Sequence, residues 1–176
     1  DFYEVITEIY DKGELTYTQY QALIILLYKK GIRESIDNWR PISLLNNEYK
    51  IITKTLSDRL KKALPHIINE DQQACIEGRR IIKSIKLLED IMEYEHEDGG
   101  ALLIDFQKAF DRVEWEWMFK VLEQFDVGDY FISWVKLCYK NANSSIITNG
   151  FMTPYFHIYR GVRQGDALSG MLFIIQ

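Results

Sequence analysis

An α+β fold is expected for this chain of 176 residues on three observations. Apolar residues recur at helical spacing in several segments. Short apolar runs of strand length are scattered among them. One stretch near the C-terminal end, residues 144–160, reads as a β-hairpin. Hydrophobic residues make up 47% of the chain and aromatic residues 14%, which is enough apolar matter for one folded core and argues against disorder.

Along the chain, Phe2, Val5, Ile6, Ile9 and Tyr10 fall at helical spacing, and Gly13 follows as a stop. The run "ALIILLY" from Ala22 precedes a Lys-Lys-Gly stop, and its length favours a strand. "RPISLL" from Arg40 is similar, with Pro41 suited to an edge or a strand start because it lacks a backbone donor. Asn46 or Asn47 can cap the next helix. That helix carries Ile51, Ile52, Leu56, Leu60 and Leu64 on one broad face, and Pro65 marks its end. Another helix is expected over 80–94, with Ile81, Ile82, Ile85, Leu88 and Ile91 apolar. The segment "EYEHEDGG", 93–100, reads as an acidic helix end and loop with His96 facing solvent. "ALLID", 101–105, reads as a strand. "EWEWMFKVLEQF" and "YFISWVKLCYK" are two helices broken at Val127-Gly128-Asp129, and Trp115, Trp117 and Trp134 are expected in the core. "SSIITN", Gly150 and "TPYFHIYR" form the hairpin, of longer-loop type. "GVRQGDALSG" is a glycine-punctuated loop, and "MLFIIQ" opens a helix.

A net charge of −5 taken alone argues against nucleic-acid binding, but its distribution does not. Residues 28–62 hold nine Lys and Arg against four Asp and Glu, a local +5. Cys75 and Cys138 form no CxxC pair and no zinc spacing, which suits a reducing interior. No run of about 18 apolar residues and no secretory-signal pattern occurs, so a membrane partner is not expected. The chain begins on Asp1 and ends inside an apolar stretch, so it is expected to be a segment of a longer polypeptide.

Three constellations can carry chemistry. In "LLIDFQKAFDRVEW", Asp105 ends the apolar run, where a carboxylate can hold a hard cation such as Mg²⁺ or cap a turn. Asp111-Arg112-Val113-Glu114 has the D-x-x-E form of a capping signature, so Asp111 is expected to cap the following helix, for about 1 kcal/mol. In "RGVRQGDALS", Gly161 and Gly165 permit positive φ and close backbone approach. Arg160 and Arg163 can meet phosphates there, and Gln164 can meet a base or sugar edge; an ordinary exposed loop accounts for the same residues. In "NWRPISLLNNEYK", Arg40 and Lys50 can grip a triphosphate or simply solvate a strand edge.

Taken in order and spacing, "NWRPISLLNNEYKIITKTLSDRLKKALPHII", "IEGRRIIKSI", "LLIDFQKAFDRVEW" and "GVRQGDALS" resemble reverse transcriptases, the RNA-directed DNA polymerases, of non-LTR, LINE-type retrotransposons. The resemblance covers nearly the whole chain from about Leu15. It implies the fingers and partial palm of a right-hand polymerase, truncated before the second catalytic palm hairpin. Fingers are expected over 1–100 and partial palm over 101–176. Arg40, Lys50, Phe110, Gln164 and Gly165 then fall at nucleotide-binding positions, Phe110 as the steric gate against ribonucleotides. Gly78, Arg79 and Arg163 fall at template-binding positions. Asp105 falls at the catalytic, metal-binding aspartate, with the Phe106 carbonyl as an extra ligand. The implied cofactor is Mg²⁺, two ions in the intact enzyme. The implied partners are an RNA template, a DNA primer, deoxynucleoside triphosphates and the remaining palm and thumb of the parent polypeptide. An intracellular setting is implied, nuclear when the element acts on chromosomal DNA.

The chain also departs from the pattern. Where the family reads "RQGCPLSP", this chain has "RQGDALSG", with Asp166, Ala167 and Gly170. Asp166 puts a negative charge beside the nucleotide site, and the loss of two prolines loosens the loop. Glu77 stands where a lysine is common. No Asp-Asp dipeptide occurs anywhere in the sequence, so the second catalytic carboxylate motif is missing. The segment alone is therefore expected to extend no primer and to bind Mg²⁺ weakly or not at all. A non-catalytic remnant, an RNA-binding module and a purely structural domain stay open beside the polymerase reading.

Overall fold

The computed structural model describes residues 1–94 and 102–176. His96 and most of the acidic segment lie outside the described residues.

The N-terminal helix α1, Phe2–Lys12, is fixed at both ends. Asp1 and Glu4 form a reciprocal capping box, and Gly13 closes the helix at φ 62°. A short helix α2, Tyr17–Tyr20, leads into strand β1, Gln21–Tyr28. Strand β2, Trp39–Leu45, returns antiparallel to β1. It occupies the sheet edge, where Pro41 needs no ladder partner on its open side. The sheet order is β2-β1-β3-β4, with β3 (Asn143–Thr148) parallel to β1. Strands β4 (Phe151–Met152) and β5 (Phe156–His157) both run antiparallel to β3.

The hairpin turn differs from the expected longer loop. Thr148 pairs with Phe151, leaving the two-residue turn Asn149-Gly150, both at positive φ. That is a type I′ pattern, whose twist matches the flanking strands. Between β4 and β5, three residues face two on β3, and Pro154 sits in this bulge. Thr153 holds it: its hydroxyl accepts from the Ile146 N–H at 3.0 Å, and its carbonyl accepts from the Ser145 hydroxyl at 2.6 Å.

Helix α3, Asn47–Ile67, starts on Asn46, whose side chain accepts the Glu48 N–H at 2.8 Å. It buries Tyr49, Ile52, Leu56, Leu60 and Leu64, while Ile51 turns to the surface. Helices α5 (Trp115–Gln124), α6 (Asp129–Tyr139) and α7 (Ser169–Ile174) complete the core around Met118, Leu122, Val135, Cys138, Tyr139 and Leu172. The sheet joins this core at one end, where Leu45, Ala22 and Ser144 pair side by side and are buried. Its other end, at Leu27 and Tyr28, projects into solvent.

Four expectations need correction. Residues 102–106 form no strand: they take up no regular secondary structure and are exposed, with Leu103 83% accessible. A strand requires a ladder partner, and among the described residues none pairs with them. Asp111 does not cap α5. Residues Ala109–Arg112 coil into a 3-10 turn, and α5 begins after Glu114 with no side-chain cap. Trp117 is exposed, because Trp115, Met118, Phe119 and Leu122 already define the inward face of α5 at helical spacing. The hairpin turn is the fourth. Helix α4, Ile82–Tyr94, forms as expected but buries none of its residues.

Candidate functional site

The site is built where the Gln-Gly loop meets β2 and the 3-10 turn. The Ser43 N–H donates to the Gln164 carbonyl at 2.7 Å, so the loop extends the hydrogen bonding of the open edge of β2. Gly165 takes φ 107°, and a Cβ there would lie 3.0 Å from the Ser43 carbonyl oxygen. Gly161 is pinned in the same way. Its N–H donates to the Val113 carbonyl at 2.7 Å, and a Cβ would meet the Asp111 carbonyl oxygen at 3.0 Å. At both positions a side chain would press on a main-chain oxygen, and both glycines are marked in the sequence as sites of positive φ and close backbone approach. The Gln164 amide donates to Asp111 Oδ1 at 3.3 Å. Asp111 therefore orients the loop glutamine.

Two concavities flank this junction. One, of about 180 Å³, is lined by Pro41, Ser43, Asp111, Arg160, Gly161 and Gln164. The other, of about 400 Å³, has Lys50, Thr53 and Lys54 of α3 facing Gly165, Asp166 and Ala167. Lys54 is paired with Asp58 at 2.6 Å, whereas Lys50 makes no ion pair among the described residues. Arg40 is also on β2 and exposed, but Pro41 and Ser43 line the first concavity and Arg40 alternates to the opposite face.

Phe110 is half-buried and packs on Phe173 of α7 with ring centroids 5.2 Å apart. Its carbonyl accepts the Val162 N–H at 2.8 Å, which ties it to the loop. Asp105 and Phe106 are exposed on the unpaired segment. Among the described residues no three His, Cys, Asp or Glu side chains cluster as a metal site would require. A two-ion centre needs more than one carboxylate.

The second expected region lies at the C-terminal end of α3. Arg79 donates through Nη1 to the carbonyls of Asn69 (2.6 Å) and Gln72 (2.9 Å), and through Nη2 to those of Pro65 (3.4 Å) and Ile68 (3.0 Å). It satisfies carbonyls that a helix end leaves free and places a cation at the negative end of the dipole. Gly78 turns the chain beside it at φ 80°. Glu77 pairs with Lys61 at 3.2 Å. The surrounding cleft of about 420 Å³ is completed by Arg80 and Lys83, which sequence reasoning passed over although "GRRIIK" displays both cations.

Arg163 is not on the surface. Its Nη2 donates to the Tyr20 carbonyl at 2.6 Å, and its guanidinium lies 5.1 Å from the centre of the Tyr49 ring. Asp166 is buried as well. Burial pushes its carboxyl up, against the pull of Thr53, the Leu168 and Ala167 amides and the Arg163 charge.

The chain has clear relatives. The family model for reverse transcriptase (RNA-dependent DNA polymerase) matches residues 27–176. The "Transposon TX1 uncharacterized 149 kDa protein" of Xenopus laevis is 38% identical over 98% of this chain and 14% of its own length. The Pol polyprotein of type-1 retrotransposable element R2 from Popillia japonica is 27% identical over 84% of this chain and 21% of its own. The RNA-directed DNA polymerase from mobile element jockey of Drosophila melanogaster is 26% identical over 97% of this chain and 19% of its own. The chain thus spans a small part of each. No helix among the described residues is long and apolar enough to cross a membrane. With a family match over most of its length and LINE-type retrotransposon proteins as relatives, the chain belongs to the reverse transcriptase (RNA-dependent DNA polymerase) family.

Proposed function

We propose that this chain forms the fingers and part of the palm of a polymerase that copies RNA into DNA. The observation that carries this reading is the bond from Ser43 to the Gln164 carbonyl, reinforced by Gln164 to Asp111. It joins three of the four ordered motifs at one place. Lys50 and the Gly165 backbone face one another across a cleft suited to an incoming deoxynucleoside triphosphate. Phe110, held by Phe173, stands next to that loop as a rigid apolar wall. Arg40 shares its strand face with Ile42, whose Cγ2 lies 3.5 Å from where a Gly165 Cβ would stand, and meets the triphosphate from that side. The cleft around Gly78, Arg80 and Lys83 takes the template backbone with Arg79 holding its loop in place, and Arg163 holds the Gln-Gly loop on the Tyr20 carbonyl. Divalent metal ions are general to this family. Asp105, with the Phe106 carbonyl, contributes one part of the metal site, and the parent polypeptide contributes the rest.

The test is RNA-templated primer extension by the parent polypeptide. Asp105→Asn is expected to reduce the rate by at least the order of 10²–10³ that removal of one transition-state stabiliser costs. Because the side chain is exposed and lies outside helix and strand, the melting temperature is expected to stay unchanged. Full extension by the variant would overturn the assignment. The 176-residue chain alone is expected to extend nothing.

RNA binding without catalysis is a second reading for the chain by itself. It is favoured by Arg80 and Lys83, both exposed on one cleft. Binding that weakens steeply as salt is raised would support it.

A further inference from the structure

Asp111 carries a motif that the fold does not use. Its D-x-x-E pattern predicts a helix cap, yet α5 starts without one, and the Asp111 carboxylate accepts from the Gln164 amide Nε2 at 3.3 Å instead. This bond is not what holds the loop in place. The main chain does that: the Gly161 N–H donates to the Val113 carbonyl at 2.7 Å, and the Val162 N–H donates to the Phe110 carbonyl at 2.8 Å. The Trp115 indole adds a third tie, donating to the Gly161 carbonyl at 2.8 Å. What these ties leave free is the Gln164 side chain, whose two amide ends differ in chemistry but hardly in shape. A carboxylate accepts and does not donate, so only the NH2 end can face Asp111. The other end, Oε1, then points away from Asp111, and among the described residues no donor meets it.

We propose that Asp111 is a positioning residue: it locks the Gln164 amide in one of its two orientations, so that the loop presents an acceptor, the amide oxygen, to a donor group on the incoming nucleotide. Gln164 is half-buried and lines the concavity of about 180 Å³ together with Ser43 and Arg160. Arg160, the exposed cation on that concavity, is paired with Glu114 at 3.6 Å, which leaves the Asp111 carboxylate to the amide. Asp111 also follows Phe110 directly on the 3-10 turn, and Gln164 directly precedes Gly165. The bond therefore fixes a polar group between the apolar wall and the glycine of the loop. An unlocked amide would offer a donor as readily as an acceptor, and ordering it would fall to the nucleotide. The use on a nucleotide rests on the reading proposed above; the locked amide does not.

Two measurements test this. In the 176-residue chain, Asp111→Ala is expected to lower the nitrogen order parameter of the Gln164 side-chain amide into the flexible range, below about 0.6. The melting temperature is expected to move by less than about 2 °C, because the main-chain ties remain. An order parameter equal in wild type and variant would overturn the positioning role, whatever the nucleotide does. In the parent polypeptide, Asp111→Ala is expected to raise the deoxynucleotide KM roughly 3–10-fold, for the lost orientation and the freed rotamers, with kcat within about twofold. Asp111→Asn keeps an acceptor but adds a donor, so the glutamine sits either way round and KM should fall between wild type and Asp111→Ala. Gln164→Ala should raise KM at least as much as Asp111→Ala, and the two changes together should raise it no further. Effects that multiply would show that Asp111 acts by another route and would overturn the proposal. So would an unchanged KM in Asp111→Ala beside a raised one in Gln164→Ala. A freed amide with KM unchanged in every variant, Gln164→Ala included, would support the lock and overturn its use on a nucleotide.

Discussion

Arg79 and Arg80 are neighbours with opposite employment. Arg79 has both Nη atoms on main-chain carbonyls, four contacts in all, at the end of α3. Arg80 is exposed on the same cleft. Hydrogen bonds from a charged donor contribute roughly 1.5–3 kcal/mol, but those of one partly exposed guanidinium do not add fully. Arg79→Ala is therefore expected to cost about 2 kcal/mol, a fall in melting temperature of roughly 4–8 °C. The salt dependence of RNA binding should stay the same. Arg80→Ala should do the reverse, leaving thermal unfolding alone and reducing the salt slope by about 0.7 for a single strand. Equal effects of the two changes on both measurements would refute the division. Asp166 gives a pH dependence. Its folded-state carboxyl is raised, by burial first, while Arg163, Tyr49, Cys138 and Tyr139 surround it. Cys138 is itself pushed up to about 12 by burial, so it stays a neutral thiol through this range. A group whose folded pKa is raised binds its proton more tightly in the folded state. Its contribution is largest below the ordinary carboxylate range and falls away as pH rises through the raised value. Urea unfolding of wild type against Asp166→Asn across that window should show this slope in wild type and lose it in the variant.

The loop from Gly161 to Gly165 lies close on its neighbours because its two glycines occupy backbone and space that other residues cannot. At Gly165 the obstruction is the Ser43 carbonyl of β2, which is main chain and cannot swing aside. Gly165→Ala combines that contact with a φ of 107°, and is expected to cost roughly 1–3 kcal/mol. A urea midpoint indistinguishable from wild type would show that the loop is not held on β2. Much of this was legible beforehand, since both glycines and the edge position of Pro41 follow from elementary backbone chemistry. The helices were legible too, because a 3.6-residue period is a local property. What failed was whatever depends on a neighbour. "LLID" has the composition of a strand, yet strand formation is a property of a pair. The D-x-x-E signature at Asp111 was real as a pattern, but a 3-10 turn at Ala109–Arg112 took up those residues, and Gln164 became the partner of Asp111. The inward turn of Arg163 could not be read at all, since Tyr20 is 143 positions away. The Asn149-Gly150 turn, by contrast, carried its own signal, and the shorter hairpin was available to the sequence.

Across the whole molecule the core is well packed on one side and unfinished on the other. Leu60, Leu64, Met118, Leu122, Cys138 and Leu172 are closed off from solvent, whereas Ile82, Ile85 and Ile91 of α4 and Leu102, Leu103 and Ile104 stand open. Single exposed apolar residues are ordinary, but a helix with no buried residue and a bare apolar segment carrying the metal-site candidate are not. Among the described residues this segment pairs with nothing, and a neighbouring strand would satisfy its N–H and C=O groups. The polymerase reading assigns that role to palm strands of the parent polypeptide. Hydrogen exchange distinguishes this from a segment that is never paired. In the 176-residue chain, amides of residues 102–106 are expected to exchange near the rate of an unstructured peptide. In the parent polypeptide the same amides are expected to be protected by on the order of 10³ or more, as stable ladder hydrogen bonds are in a domain with about 4 kcal/mol of local stability. Protection confined to Asp105 and Phe106 on addition of Mg²⁺ would indicate metal binding without a strand. Equal, fast exchange in both polypeptides would show that Asp105 is not carried on a palm strand, and the catalytic assignment built on that strand would have to be abandoned.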